Sequence, residues 1–139
     1  MTNRQPDLSG PASNGIIVSL VNGEPSVRHA RQIMLRSENY DVRSYATCAA
    51  LLADPRSRDC PCIVVDVEME SGDGMSLLRE MRATGWRGKA VLLYGDQPAS
   101  KLLEDAERQG DTLFAQTIAD RILVAAIAAT ADRGRIGEI

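Results

Sequence analysis

The chain has no excess of basic charge. Sixteen Lys and Arg face 19 Asp and Glu, for a net charge of -3. That balance excludes the electropositive footprint of a nucleic-acid binder. No apolar run reaches the length of a membrane span. Residues 1–15 lack the apolar core of a signal peptide, so a cytoplasmic location is expected. Cysteine is also sparse. Cys48, Cys60 and Cys62 cannot all pair internally, and Cys60-Pro61-Cys62 is too short for a zinc knuckle and lacks further ligands. All three read as reduced thiols. The single histidine, His29, falls on the polar side of the first helix and reads as a surface residue. A Gly-rich phosphate loop is missing, and Gly95-Asp96 does not replace it.

What is present organises itself around one stretch. The apolar run Cys62-Ile63-Val64-Val65 stops on Asp66, and the acidic, Gly-rich turn through Asp73-Gly74 follows. An unbroken β-branched run reads as a strand buried on both faces, as in parallel sheets. Asp66 then stands at the carboxyl end of a central strand, the edge where ligands collect in open α/β sheets. A lone carboxylate there is costly unless something binds it or water reaches it.

The 139 residues suffice for one domain with one proper core. Residues 1–15 read as a disordered leader, 16–131 as the domain and 132–139 as a tail too short for an output domain. Strands are expected at 16–21, 41–45, 62–67, 90–94 and 112–115. Helices are expected at 25–38, 48–53, 74–83, from Pro98 to Gly110, and at 118–131. Pro25 suits a first helical turn, and Thr47 can cap the second helix. Val27, Ala30, Ile33, Met34 and Leu35 mark the inward stripe of the first helix. Leu77, Leu78 and Met81 point inward in the third, with Arg79, Glu80 and Arg82 outward. Leu102, Leu103 and Ala106 point inward in the fourth, and Ile118, Ile122, Leu123, Ala126 and Ile127 line the last. Residues 54–59 read as a polar loop, and Trp86 as half-buried packing. Strands alternating with helices imply a flavodoxin-like (βα)5 doubly wound parallel sheet, with strand order 2-1-3-4-5. That order gathers Asn22-Gly23-Glu24, Asp66 and Tyr94 at neighbouring strand ends.

The pattern resembles the receiver domain of two-component response regulators over residues 16–129. The resemblance rests on Pro25-Ser26-Val27-Arg28, Tyr40-Asp41-Val42, Val64 to Met69 with Asp73-Gly74, Gly95, and Gly110 ahead of Phe114. It implies that Asp66 is the phospho-acceptor and that Phe114 is the aromatic switch position. It also exposes departures. Asn22 and Gly23 stand where the family has two Mg²⁺-binding acids, leaving Glu24. Tyr94 replaces the Ser or Thr that bonds the phosphoryl oxygen, and Thr117 replaces the Lys. Mg²⁺ would find only Glu24, Asp66 and the Glu68 backbone carbonyl, and would bind weakly if at all.

Phosphoryl transfer to a carboxylate needs charge stabilisation. Losing one such group commonly raises the barrier by about 3–4 kcal/mol. The Tyr94 ring can fill the phosphoryl space, or its hydroxyl can bond Asp66 or Glu24. Fewer clustered acids also leave the site settled rather than poised. The expectation is therefore a degenerate receiver in a two-component or phosphorelay system, not an enzyme. It would act through contacts with a histidine kinase, phosphotransferase or regulator, or through a homodimer. The fourth helix, fifth strand and fifth helix supply the surface. The alternatives are slow conventional phosphorylation of Asp66, and a small nucleotide or flavin binder or enzyme on the same scaffold.

Overall fold

The computed structural model describes residues 15–69, 72–95, 98 and 100–136. The expected leader, except for Gly15, and the last three residues of the tail lie outside that set. The chain runs β1 (Ile17–Val21), α1 (Pro25–Ser37), β2 (Asp41–Tyr45), α2 (Cys48–Ala53), a 3-10 turn (Pro55–Asp59) and β3 (Cys62–Asp66). It continues with β4 (Glu68–Met69), β5 (Gly72–Asp73), α3 (Gly74–Ala83), β6 (Lys89–Tyr94), α4 (Ser100–Gln109), β7 (Thr112–Ala115) and α5 (Asp120–Ile136). Five strands form one parallel sheet in the order β2-β1-β3-β6-β7. Counted among themselves, these strands follow the expected 2-1-3-4-5 order. The short β4 and β5 pair antiparallel, Glu68 opposite Asp73 and Met69 opposite Gly72.

Alternation along the strands explains the unbroken apolar runs. Ile63, Val65 and Leu92 face α2 and α3, against Leu51, Leu77 and Met81. Val64, Val91 and Leu93 face the other way, against Leu35, Leu123 and Ile127. A strand covered on both faces has no side on which a polar residue is free of cost. Each Leu, Ile or Val so buried contributes about 1.5–3 kcal/mol of transfer free energy.

Local chemistry sets the boundaries. Pro25 opens α1. Thr47 Oγ1 accepts from the Ala50 amide at 3.0 Å and starts α2. Asn39, at φ 72, turns the chain out of α1 toward β2. Gly110, at φ 78, does the same after α4, where a side chain would be strained.

Several expectations change. Ile33 is 55% exposed and Ala30 also faces solvent. At about 100° per residue, the sheet-facing line of α1 is Val27–Arg31–Leu35, and Ile33 falls on its far side. Leu103 and Ile122 are 48% and 42% exposed, while Leu102 is partly buried and Leu123, about 100° round from Ile122, faces the core. Helix α4 starts at Ser100, not Pro98, and α5 continues past Ala131 to Ile136. Residues 55–59 are not an open loop. Asp54 Oδ1 accepts from the Arg56 amide at 3.0 Å and caps a 3-10 turn.

Trp86 is buried, not half-buried, at 3% exposure. Its ring nitrogen donates to the Cys60 carbonyl at 2.7 Å. Arg82 stacks over that ring, 5.1 Å from its centroid, and so turns inward rather than outward. The same guanidinium makes a forked pair with Asp111, at 2.9 and 2.7 Å. Asp111 also accepts from the Ala90 amide at 2.9 Å. This network closes the amino-terminal edge of the sheet at β6 and β7.

Candidate functional site at the carboxyl edge of the sheet

The parallel register brings the ends of β1, β3 and β6 together. Asp66 is the last residue of β3, with its side chain only 18% exposed. Asn22 follows β1 directly and is buried. Its amide nitrogen donates to Asp66 Oδ2 at 3.1 Å. Its amide oxygen accepts from the Glu24 backbone N–H at 2.8 Å. Arg28 holds the Asn22 carbonyl at 2.7 Å. A carboxylate at position 22 would face Asp66 as a like charge, whereas the amide turns that approach into a hydrogen bond.

The other oxygen of Asp66 faces a cation. Arg31 Nη1 lies 3.7 Å from Asp66 Oδ1. That separation makes an ion pair without a hydrogen bond. Both atoms are buried and have no hydrogen-bond partner among the described residues. The second arm of the guanidinium, Nη2, donates to the Gln116 carbonyl at 3.2 Å. The resemblance implied a site without its lysine, and a cation stands beside Asp66 all the same. The charge beside Asp66 comes from α1, and not from the turn after β7 where Thr117 stands. The sequence did carry a signal for it. Arg31 sits at i+4 from Val27 and i−4 from Leu35, a cation inside an apolar line.

Burial pushes the Asp66 carboxyl above its ordinary value of 3.8, and the Arg31 charge pulls it back only in part. Gly74 closes the floor. A Cβ there would stand 2.7 Å from the Asp66 carbonyl oxygen, so only glycine lets α3 start this close to β3.

The remaining expected residues are spread more widely. Glu24 is exposed at the start of α1, and the Ser26 hydroxyl donates to it at 3.5 Å. It makes no hydrogen bond or ion pair with Asp66. Gly23 is exposed, and a Cβ added there would meet only the Ala46 carbonyl oxygen, at 3.8 Å. Glu68 is exposed on β4. The Tyr94 side chain is half-buried, and its hydroxyl bonds neither Asp66 nor Glu24. Its carbonyl accepts from the Gln116 amide at 2.9 Å. Phe114 is half-buried against the α1 and α5 core. Thr117 is exposed in the turn after β7. Among the described residues, no three His, Cys, Asp or Glu side chains cluster to hold a metal ion. All three cysteines are buried thiols outside any disulfide. Cys60 Sγ donates to the Cys62 carbonyl at 3.1 Å. A groove of about 430 Å³ lies between α3 and α4, bordered by Met75, Leu78, Arg79, Lys101 and Arg108, and none of Asn22, Asp66 or Tyr94 lines it.

A five-stranded doubly wound sheet with a carboxylate ending its central strand defines the CheY-like receiver architecture. The chain belongs to the response regulator receiver domain family, whose model matches residues 18–128. It is 25% identical over 116 residues to the transcriptional regulatory protein FixJ of Azorhizobium caulinodans, covering 84% of this chain and 55% of that protein. It is 35% identical over 66 residues to the C4-dicarboxylate transport transcriptional regulatory protein DctR of Rhodobacter capsulatus, covering 48% of this chain and 34% of that one. The chain thus spans about half or less of the length of these relatives. Among solved structures, the receiver domain of a Luxo repressor protein from Vibrio parahaemolyticus superposes with a TM-score of 0.75 at 18% identity, covering 88% of this chain and 95% of that one. The FixJ amino-terminal domain superposes at 0.73 with 21% identity, covering 86% and 95%. This is a family of signalling modules rather than enzymes, whose members bind Mg²⁺ for phosphorylation and meet histidine kinases and effector domains. Among the described residues, no helix is long and apolar enough to cross a membrane.

Proposed function

We propose that this receiver signals through protein contacts, with Mg²⁺-dependent phosphorylation of Asp66 weak or absent. The observation that carries the reading is the 3.1 Å bond from the Asn22 amide to Asp66 Oδ2. It puts an N–H donor where the family places a metal-binding carboxylate. Arg31 on the other oxygen adds a positive charge that repels a divalent cation. Glu24 is exposed at the start of α1 and makes no hydrogen bond or ion pair with Asp66. This donor set does not suit Mg²⁺, which asks for an octahedron of oxygens. For the partner surface, α4, β7 and α5 are the favoured elements. Leu103 on α4 and Ile122 on α5 each leave a large apolar side chain in solvent. The partner is a kinase, phosphotransferase or regulator, or a second copy of the chain.

Slow conventional phosphorylation is the second reading, and Arg31 favours it by supplying a cation beside the acceptor. Incubation with acetyl phosphate and Mg²⁺, followed by intact mass, separates the two. No stoichiometric adduct is expected. A full phosphate adduct that disappears in Asp66→Asn would overturn the first reading in favour of the second.

A further inference from the structure

We propose that Arg31 is the positioning residue of this site. It ties the Asp66 carboxylate to the turn after β7, so that a change of charge at Asp66 reaches the head of α5 through α1. The inference deepens the receiver reading, because it takes Asp66 as the signal-bearing group.

The geometry is that of a clasp across three elements. One arm of the guanidinium faces Asp66 Oδ1 at 3.7 Å, and the other donates to the Gln116 carbonyl at 3.2 Å. The guanidinium is a rigid planar fork, so its two arms cannot move independently. Gln116 is in turn bonded through its amide to the Tyr94 carbonyl at 2.9 Å, and Ile118 N–H to the Ala115 carbonyl at 3.1 Å. Moving Arg31 therefore strains the turn that leads into α5.

The clasp is held by charge, not by saturated hydrogen bonds. Arg31 Nη1 and Asp66 Oδ1 are both buried, yet neither has a hydrogen-bond partner among the described residues. Their attraction acts through a medium less screening than water, so it is sensitive to what Asp66 carries. The other oxygen is fixed by Asn22, itself held at its side-chain oxygen and at both backbone polar atoms. When the charge at position 66 changes, the long side chain of Arg31 is the part free to respond. The familiar switch positions are less suited to carry the message. Tyr94 makes no hydroxyl bond to Asp66, and Phe114 sits against the apolar core.

Amide spectra of the full ¹⁵N-labelled chain test this without phosphate. Asp66→Asn removes the charge and nearly preserves the shape. It is introduced into the wild-type, Arg31→Met and Arg31→Lys backgrounds, and the displacement caused by position 66 is read within each. In the wild type, the amides of Gln116, Thr117 and Ile118 should move. In Arg31→Met that displacement should vanish. In Arg31→Lys, which keeps the charge but loses the fork, it should fall between. Because each comparison is internal to one background, the purely structural effect of replacing Arg31 cancels. Equal displacements in all backgrounds, or none in the wild type, would overturn the proposal. If Arg31→Met does not fold, an Arg31→Lys displacement as large as that of the wild type overturns it equally. A phosphate adduct on Asp66 would sink the degenerate reading and leave this result standing.

Discussion

Two Asp–Arg pairs sit at opposite edges of the same sheet and differ in completeness. At the amino-terminal edge, Asp111 has no exposed side-chain surface. It is gripped by both arms of Arg82 and by the Ala90 amide. At the carboxyl edge, Asp66 takes one hydrogen bond from Asn22 and faces Arg31 at 3.7 Å. The first pair is saturated, and the local backbone is built around it. The second leaves a buried oxygen and a buried N–H unsatisfied among the described residues. A saturated pair resists change because any movement breaks several bonds together. An unsaturated one can be redistributed at small cost. The same two residue types thus serve as a brace at one edge and as a responsive element at the other.

The sharpest break of this contrast is Asp111→Ala. It strands the Arg82 charge and frees the Ala90 amide, and it should cost about 3 kcal/mol. Asp66→Asn should cost little or nothing, because burial penalises the Asp66 charge more than Arg31 offsets it. Urea denaturation checks both. The midpoint should fall far more for Asp111→Ala, with an unchanged slope. Equal losses would mean that the two pairs do the same job.

Restoring the acids tests the carboxyl edge more gently. Gly23 has room for a side chain, with its nearest neighbour 3.8 Å from the added carbon. The double variant Asn22→Asp, Gly23→Asp should be less stable without metal, because two carboxylates then crowd Asp66. It should regain stability with Mg²⁺, by about 2.7 kcal/mol at a hundredfold excess over the dissociation constant. The wild-type melting temperature should not respond to Mg²⁺. A wild-type response of equal size would restore Mg²⁺ binding to the native site.

The smallest effect lies beside the site. The Tyr45 hydroxyl donates to Asp54 at 2.7 Å at the end of β2. Burial first, then this bond, push the Tyr45 phenol from 10.0 up to about 12. Its folded value lies above its unfolded one, so the neutral phenol contributes stability in full below pH 10.0 and loses it as pH rises through about 12. Ultraviolet titration should show a phenolate step at about 12, and Tyr45→Phe should remove it. If that step persists in the variant, it belongs to another tyrosine.

The fold was legible because its signals are local. Apolar runs ending at Val21, Val65 and Tyr94 each fit a strand covered on both faces, and crossover handedness then leaves few orders for five strands. Pro25, Thr47 and Gly110 act within a turn of their own positions, so they read correctly. The inward faces of the helices were harder. Periodicity places Val27, Ala30, Met34 and Leu35 on a broad arc, but not the line within it that meets the sheet. An apolar Ile33 turned outward, and a charged Arg31 turned in.

By itself the sequence determined the strand order and the place of Asp66 at the end of the central strand. These follow from residue type and spacing along the chain. Only the tertiary structure decided that Arg31 would stand beside Asp66 and that Arg82 would close on Asp111. Both contacts join positions far apart in the chain, 35 residues for Arg31 and Asp66 and 29 for Arg82 and Asp111. A long side chain with a charged tip can lie along an apolar face and still reach a buried partner. Whether it does depends on what packing places within its reach, which no stretch of sequence specifies alone.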